Sequence, residues 1–333
     1  MNILITGAAG YIGSHVAKQL LETTSHTVTI MDNLSTGHAT TIDTLKSIRD
    51  FKFINLDLKE FSKVETFLEK NQFDTIIHFA ASIVVPESVE NPIKYYMNNT
   101  VNTSNLIKCA EQSNVKNFIF SSTAAVYGEP KNIPQSGIDE ASDKLPINPY
   151  GMSKLMSEIV LQDTAKTSNH LKYVIFRYFN VAGASADLSI GESHEPETHL
   201  VPLIAQTALG KRAKIMIFGD DYNTPDGTNL RDYVHVLDLA DAHIQAIKYL
   251  QDNQSDIFNC GYGTGFSVKE VVETMKVVTD TDFIAEIAPR RAGDPAILIS
   301  NNTKIKTKMH WTPKYNDLKI ICKSAYEWEK KVL

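Results

Sequence analysis

Cysteine is scarce in this chain: Cys109, Cys260 and Cys322 stand far apart among 333 residues, with no spacing that suits a zinc or redox dithiol motif. That excludes a disulfide scaffold and a cysteine-ligated metal centre, and no metal is expected. Long hydrophobic runs are missing too. None approaches the roughly 20 residues of a membrane helix, so no membrane partner is expected. Positive charge is not in surplus either. The net charge of −6 argues against nucleic acid or an anionic lipid surface as the main partner. Internal repeats and low-complexity tracts are absent. An apolar strand starting at residue 2 leaves no place for a cleavable leader, and the isolated cysteines suit a reducing compartment, so a cytoplasmic location is expected. Hydrophobic content of 43% and charged content of 22% are those of an ordinary folded protein. The length suffices for two lobes with a large core.

What the chain does have is concentrated at its start. Asn2 to Thr6 is a short apolar run, followed at once by Gly7-Ala8-Ala9-Gly10-Tyr11-Ile12-Gly13. Ser14 to Glu22 reads as a helix with Val16, Ala17, Leu20 and Leu21 on one face, and Val28 to Met31 as a second strand ending in Asp32. Strand, glycine turn, helix, strand, acid is the dinucleotide-binding pattern. Gly7 permits the tight turn, Gly10 the close approach of a pyrophosphate, and Gly13 the packing of helix on strand. Free N–H groups at the helix start face the phosphates. Asp32 lies 19 residues past Gly13, where a carboxylate accepts from both adenosine ribose hydroxyls. It would repel a 2′-phosphate, so NAD is expected rather than NADP.

Strands and helices alternate onward: a helix over 39–49, a strand over 51–56, a helix over 58–70, and strands over 74–81 and 115–122. The fold class is therefore α/β, with a Rossmann-type, doubly wound parallel sheet. Gly13, Asp32, Asp57, Ala80 and Thr123 fall at carboxyl ends of strands, where such sheets bind ligands. Asp57-Leu58 suits either an adenine contact or a helix N-cap. His78, inside an apolar strand, reads as a core histidine. Asn91-Pro92 opens a long helix to about Gln112, and one of Asn98 and Asn99 in its middle is expected to turn inward and hold backbone or cofactor. A loop from Gly128 with Pro130, Pro134, Pro146 and Pro149 delivers Tyr150 to Lys154 onto a helix running to about Ala165. A strand over 171–177 follows. Residues 1–180 make the dinucleotide-binding domain with the Tyr/Lys helix. Residues 181–333 make a smaller, mixed α/β substrate lobe, with some segments returning to the first domain.

Tyr150 and Lys154 are four apart and share a helix face. A free phenol, with a pKa of about 10, is a poor base at neutral pH. A neighbouring ammonium, with a positively charged nicotinamide, lowers that value, Lys154 reaches cofactor ribose hydroxyls, and Thr123 supplies a hydroxyl to the reacting alcohol. Behind the glycine turn this is a pattern for hydride chemistry at an alcohol carbon.

Several segments carry a resemblance: Thr6 to His15, Asp32-Asn33-Leu34, His78-Phe79-Ala80, Tyr95 to Asn99, Asn117 to Gly128, Pro149 to Lys154, Arg177 to Asn180, Gly227 to Val236, Asp238 to Asp241 and Ala288 to Asp294. Over nearly its whole length the chain resembles the extended short-chain dehydrogenase/reductase family, and within it the enzymes that epimerise UDP-hexoses at C4. The resemblance implies tightly held NAD+, interconversion of UDP-galactose and UDP-glucose as part of galactose metabolism, and catalysis by Thr123, Tyr150 and Lys154. It places Gly7, Gly10, Tyr11, Ile12, Gly13, Asp32, Asn33, Asp57, Leu58, Phe79, Ala80, Ala81, Asn98 and Phe179 at the cofactor. It assigns Arg231 and Arg291 to the diphosphate, Asp294 to the uridine ribose, and Asn180 to diphosphate or sugar. His199, Leu200, Phe218 and Tyr233 join Thr123 in holding the substrate. Leu298 stands where bulk gates sugar size, leaving N-acetylated UDP-hexoses open as substrates. Ile83 replaces a common lysine and His199 a usual asparagine. A homodimer through the helices at 92–112 and 150–165 is also implied. The family's 4,6-dehydratases carry an Asp-Glu pair after the threonine; Ala124-Ala125 cannot do that acid–base work. A cofactor-binding protein without turnover would be expected to lack the tyrosine or the lysine.

Overall fold

The computed structural model describes residues 1–130, 133–291 and 294–332. In chain order the first elements are β1 (Asn2–Thr6), α1 (Tyr11–Thr23), β2 (Thr27–Asp32), α2 (Ala39–Ile48), β3 (Lys52–Asn55), α3 (Phe61–Lys70), β4 (Thr75–His78), α4 (Val85–Glu90), α5 (Pro92–Tyr95), a π-helical turn Tyr96–Val101, α6 (Asn102–Gln112), β5 (Asn117–Thr123), α7 (Pro149–Thr167) and β6 (Lys172–Tyr178). Then come β7 (Asn180–Ala182), α8 (Leu200–Ala208), β8 (Lys214–Phe218), β9 (Leu230–His235), α9 (Val236–Asp252), β10 (Asp256–Cys260), β11 (Gly265–Ser267), α10 (Val268–Thr279), β12 (Ile284–Ala288), β13 (Ile297–Leu298), α11 (Thr303–Met309) and α12 (Leu318–Lys331).

The chain divides into two compact units. The first holds residues 1–128, 144–177 and 240–258; the second holds 129–143, 178–239 and 259–333. A seven-stranded sheet in the order β10-β6-β5-β4-β1-β2-β3 forms the first unit's centre. Its β1–β2, β1–β4, β2–β3 and β4–β5 pairs are parallel, as the alternating pattern predicts. Ile3, Leu4, Ile5, Ile76, Ile77, Phe118 and Ile119 have no exposed surface. Such continuous apolar runs mark strands covered on both faces. Val64 and Leu68 of α3, Leu106 and Ile107 of α6 and Leu161 of α7 join Leu4, Ile76, Phe118 and Ile175 in one core cluster. The second unit builds β11-β9-β13 with β7 also on β9, and pairs β12 with β8. β11 runs antiparallel and β13 parallel to β9, a mixed sheet. No helix among the described residues is long and apolar enough to cross a membrane.

Two local expectations need correction. The helix after Asp57 starts at Phe61, not Leu58, so Asp57 is not its N-cap. Asp57 Oδ1 instead accepts the Lys59 N–H at 2.9 Å and its carbonyl accepts the Glu60 N–H at 3.0 Å, an Asx-type turn before the helix. The helical run from Pro92 to Gln112 is not uniformly α, because Asn98 and Asn99 sit in the π-helical turn. Asn99 accepts the Ser82 N–H at 2.8 Å and donates to the Ser82 carbonyl at 2.9 Å and Ser153 Oγ at 3.1 Å. It satisfies backbone that would otherwise be orphaned, at the cost of regular helix geometry. His78 is a core histidine: Thr6 Oγ1 lies 2.6 Å from its Nδ1 and Thr103 Oγ1 2.8 Å from its Nε2. Burial, aided by the Lys154 charge, lowers its pKa to about 3, so it stays neutral.

Candidate active site

The cofactor cradle grows from the turn after β1. Gly7 has φ +78°, and a Cβ there would lie 2.4 Å from the Ala80 nitrogen. A Cβ on Gly13 would lie 2.4 Å from the Gly7 carbonyl oxygen. These two glycines are required by packing alone. At Gly10 a Cβ would meet only the Gly7 oxygen at 3.5 Å, so that face is open. Gly10 is the N-cap of α1 and makes no side-chain cap, which leaves first-turn N–H groups available to an anion. Asp32 is buried at the end of β2. Its Oδ2 accepts the Ala9 N–H at 2.9 Å and its Oδ1 the Leu34 N–H at 2.8 Å. Burial raises its pKa and those two bonds oppose the rise. A carboxylate has about four acceptor positions, so capacity for ribose hydroxyls remains. Asn33 Nδ2 donates to Asp57 Oδ2 at 2.9 Å, joining the ends of β2 and β3. An open glycine face, free helix-start donors and a carboxylate at the second strand end fit a dinucleotide.

Thr123 ends β5, and Tyr150 and Lys154 lie on the first turns of α7. Asn148 caps that helix by accepting the Gly151 N–H at 2.8 Å, and Pro149 occupies its first turn. A Cβ on Gly151 would lie 2.6 Å from the Ala125 carbonyl oxygen, so the helix start presses closely on the segment after β5. Further along, Thr100 Oγ1 donates to the Ser153 carbonyl at 3.0 Å and Ser157 Oγ to the Asn99 carbonyl at 2.9 Å. The π-helical turn thus clamps α7 at the level of its functional residues.

The Thr123 hydroxyl lies beside the Tyr150 phenol. Burial raises the phenol pKa and the Thr123 hydroxyl opposes it. Lys154 is buried, donates to the Ser121 carbonyl at 2.7 Å and stands 5.0 Å above the Phe120 ring. Burial lowers its pKa to about 7 against the pull of Glu158. Without the positive nicotinamide that the expectation includes, desolvation outweighs the protein groups at the phenol.

Beneath these groups lies an ion pair that sequence reasoning missed. Arg177 Nη2 donates to Glu158 Oε2 at 2.7 Å, its Nε to Oε1 at 3.1 Å, and its Nη1 to the Tyr127 hydroxyl at 3.0 Å. Ser122 Oγ also donates to Glu158. Glu158 is one turn beyond Lys154, and both charges are essentially without solvent contact.

In the second unit β9 assembles several expected substrate residues. Leu298 on β13 pairs in register with Arg231, and Asn180 on β7 with Tyr233. Arg231 is ion-paired with Asp294 and donates to the Leu230 carbonyl at 2.8 Å. Those two were expected at separate parts of the ligand and are found together. The Arg291 guanidinium stacks 3.7 Å from the Phe218 ring centre at the end of β8. His199 caps α8, which begins at Leu200, and faces Glu192 and Glu197. Phe179 donates its N–H to the Cys260 carbonyl at 3.2 Å. Asn98 donates to Ser82 Oγ at 3.0 Å. Ala292 and Gly293, within the resembling Ala288–Asp294 segment, lie outside the described residues.

Comparison with known proteins agrees with this arrangement. The NAD dependent epimerase/dehydratase family matches residues 3–261. The chain belongs to that family. Among its members, a UDP-glucose 4-epimerase of Halalkalibacterium halodurans is 47% identical over 99% of this chain and 96% of its own. The solved UDP-Glc/GlcNAc 4-epimerase of Campylobacter jejuni is 54% identical, with a TM-score of 0.87 over 99% of each chain. A UDP-glucose 4-epimerase from Bifidobacterium longum, solved with NAD+ and UDP, is 34% identical with a TM-score of 0.93, covering 99% of this chain and 98% of that one. The resemblance read from the motifs is borne out, as are the α/β class, the parallel sheet and NAD as the family's cofactor.

Proposed function

We propose that this chain interconverts UDP-galactose and UDP-glucose by transient oxidation at C4 of the hexose. The observation that carries the reading is the placing of Tyr150 beside the Thr123 hydroxyl, with buried Lys154 one turn along α7 and a dinucleotide cradle in the same unit. Bound NAD+ takes the hydride from C4 and gives it back to the opposite face of the sugar. Tyr150 removes the proton of the 4-hydroxyl through its phenolate and later returns it, with Thr123 bonded to the same oxygen. Protonated Lys154 favours that phenolate against burial. Gly7, Gly10, Tyr11, Ile12 and Gly13 hold the pyrophosphate, Asp32 and Asn33 the adenosine ribose, and Asp57 and Leu58 the adenine. Phe79, Ala80, Ala81, Asn98 and Phe179 line the rest of the cofactor.

Inversion requires the 4-keto sugar to turn about its link to the diphosphate, so the nucleotide must be gripped firmly and the hexose loosely. Arg231 and Arg291 supply guanidinium forks for the diphosphate. Asp294 accepts from the uridine ribose, and Asn180, His199, Leu200, Phe218 and Tyr233 complete the grip. A 4,6-dehydratase would need acids after Thr123. Ala124 is buried there, and the Ala125 N–H donates to Thr123 Oγ1 at 3.1 Å. Leu298, of intermediate bulk, suits UDP-N-acetylhexosamines as further substrates, in keeping with the name of the Campylobacter jejuni relative.

The purified protein given UDP-galactose and no added NAD is expected to show UDP-glucose anomeric proton signals by NMR. UDP-N-acetylgalactosamine is expected to convert as well. No conversion of UDP-galactose, even with NAD+ supplied, contradicts the reading.

The same reading includes a homodimer and a cytoplasmic setting, which free thiols at all three cysteines suit. Ile93, Met97 and Val101 are exposed at four-residue intervals, and Met156 and Ile159 are exposed on α7. Apolar side chains in such rows suit helix packing against a second copy. Light scattering at micromolar concentration is expected to give twice the chain mass; a monomer removes the dimer.

A further inference from the structure

The loop entering α8 gathers four side chains of which the C4 reaction uses only His199. Glu192, His194, Glu197 and His199 each bring one ligand atom into a group whose members all lie within 4.8 Å of one another. His194 Nδ1 is 3.3 Å from Glu192 Oε1 and 3.8 Å from Glu197 Oε2. His199 Nδ1 is 2.6 Å from Glu192 Oε1 and 3.5 Å from Glu197 Oε1. Bonds of about 2.0–2.1 Å to a tetrahedral zinc ion place its ligand atoms about 3.3–3.4 Å apart. Counting Glu197 through either oxygen, three of these separations match within half an ångström, and the fourth, His199 to Glu192, would open by about 0.7 Å.

A second observation concerns what these atoms lack. Glu192 Oε2 and the Nδ1 atoms of both histidines are buried without an aligned hydrogen-bond partner among the described residues. In a plain imidazolium–carboxylate network each Nδ1–H would aim along a carboxylate lone pair. Without that alignment the Nδ1 and Oε2 atoms keep acceptor capacity for a shared ion. The Glu192 side chain is only 5% exposed and that of Glu197 3%, whereas that of His199 is 42% exposed and leaves a way in.

The surroundings hold these ligands in place. Glu197 Oε1 accepts the Thr198 and His199 N–H groups at 2.7 and 2.8 Å, and the Glu192 carbonyl accepts from Trp328 Nε1 at 2.7 Å. Such outer contacts orient metal ligands. Two buried carboxylates beside two neutral imidazoles carry a charge that a divalent cation cancels.

We propose that Glu192, His194, Glu197 and His199 form a four-ligand site for a divalent transition-metal ion, zinc by preference, which braces the loop into α8. Two imidazoles and two carboxylates suit zinc's tetrahedral N/O chemistry, whereas calcium and magnesium favour six or more oxygens. Four protein ligands leave no open position, so the ion's role is structural. The pattern Glu192-x-His194-x-x-Glu197-x-His199 carries this ligand set without a cysteine.

The test is a titration of chelator-treated protein, NAD retained, with Co2+ followed by visible absorption and then displaced by Zn2+. One equivalent with the strong bands of tetrahedral cobalt, bleached by zinc, is the expected result. His194→Ala and Glu192→Gln are each expected to weaken binding at least tenfold while the circular dichroism of the fold is kept. Weak octahedral bands, or no saturable binding at about 100 μM metal, would overturn the site, as would undiminished binding in both variants. The wild-type titration decides the matter even where a variant does not fold.

Discussion

Tyr150→Phe is expected to lower kcat for UDP-galactose by about 10²- to 10⁴-fold, the usual contribution of a positioned general acid–base group, while NAD stays bound. The phenol is the group that lies beside the Thr123 hydroxyl, and no other acid or base on α7 takes that place. The ring itself packs edge-on against Tyr95, with centroids 6.4 Å apart, and phenylalanine keeps that contact. The fold and the glycine cradle should therefore survive. Steady-state kinetics beside the absorbance of bound cofactor separate the two effects. A loss of less than tenfold would mean that another group moves the proton. Lost cofactor would mean that Tyr150 is mainly a binding residue.

Glu158→Ala should show a comparably large effect on stability. Breaking a buried ion pair by removing one partner costs about 3–5 kcal/mol, since the remaining charge stays desolvated. Here Arg177 would lose its bonds to Glu158, and Ser122 its acceptor, inside a core with essentially no water access. Replacing both partners, as in Glu158→Leu with Arg177→Met, should recover most of that loss, because no unpaired charge is left. Thermal and urea unfolding of the single and double variants reads this directly. Equal destabilisation by single and double variants would show that the pair's shape, rather than its charge, matters.

The parts legible in the sequence are those whose logic is local. The turn from Gly7 to Gly13, the acid ending β2, Thr123 at the end of β5 and the four-residue step from Tyr150 to Lys154 each declare themselves within a few positions. Their places at strand ends follow from alternating strands and helices. What was not legible depends on partners far apart in the chain. Arg177 meets Glu158 across 19 residues, Asn99 meets Ser153 across 54, and Arg231 meets Asp294 across 63. Hydrophobic periodicity carries no information about such pairs. The π-helical turn escaped because its cause, Ser82, lies outside the helix it distorts. At Tyr150, likewise, spacing reports which charge is near but not how much solvent has been removed.

The central claim is that the hydrogen leaving C4 returns to the same carbon. UDP-galactose deuterated at C4 should give UDP-glucose that keeps its deuterium at C4 when the reaction runs in ordinary water, as read by proton NMR and mass spectrometry. Product that has exchanged the label for solvent hydrogen would contradict the account.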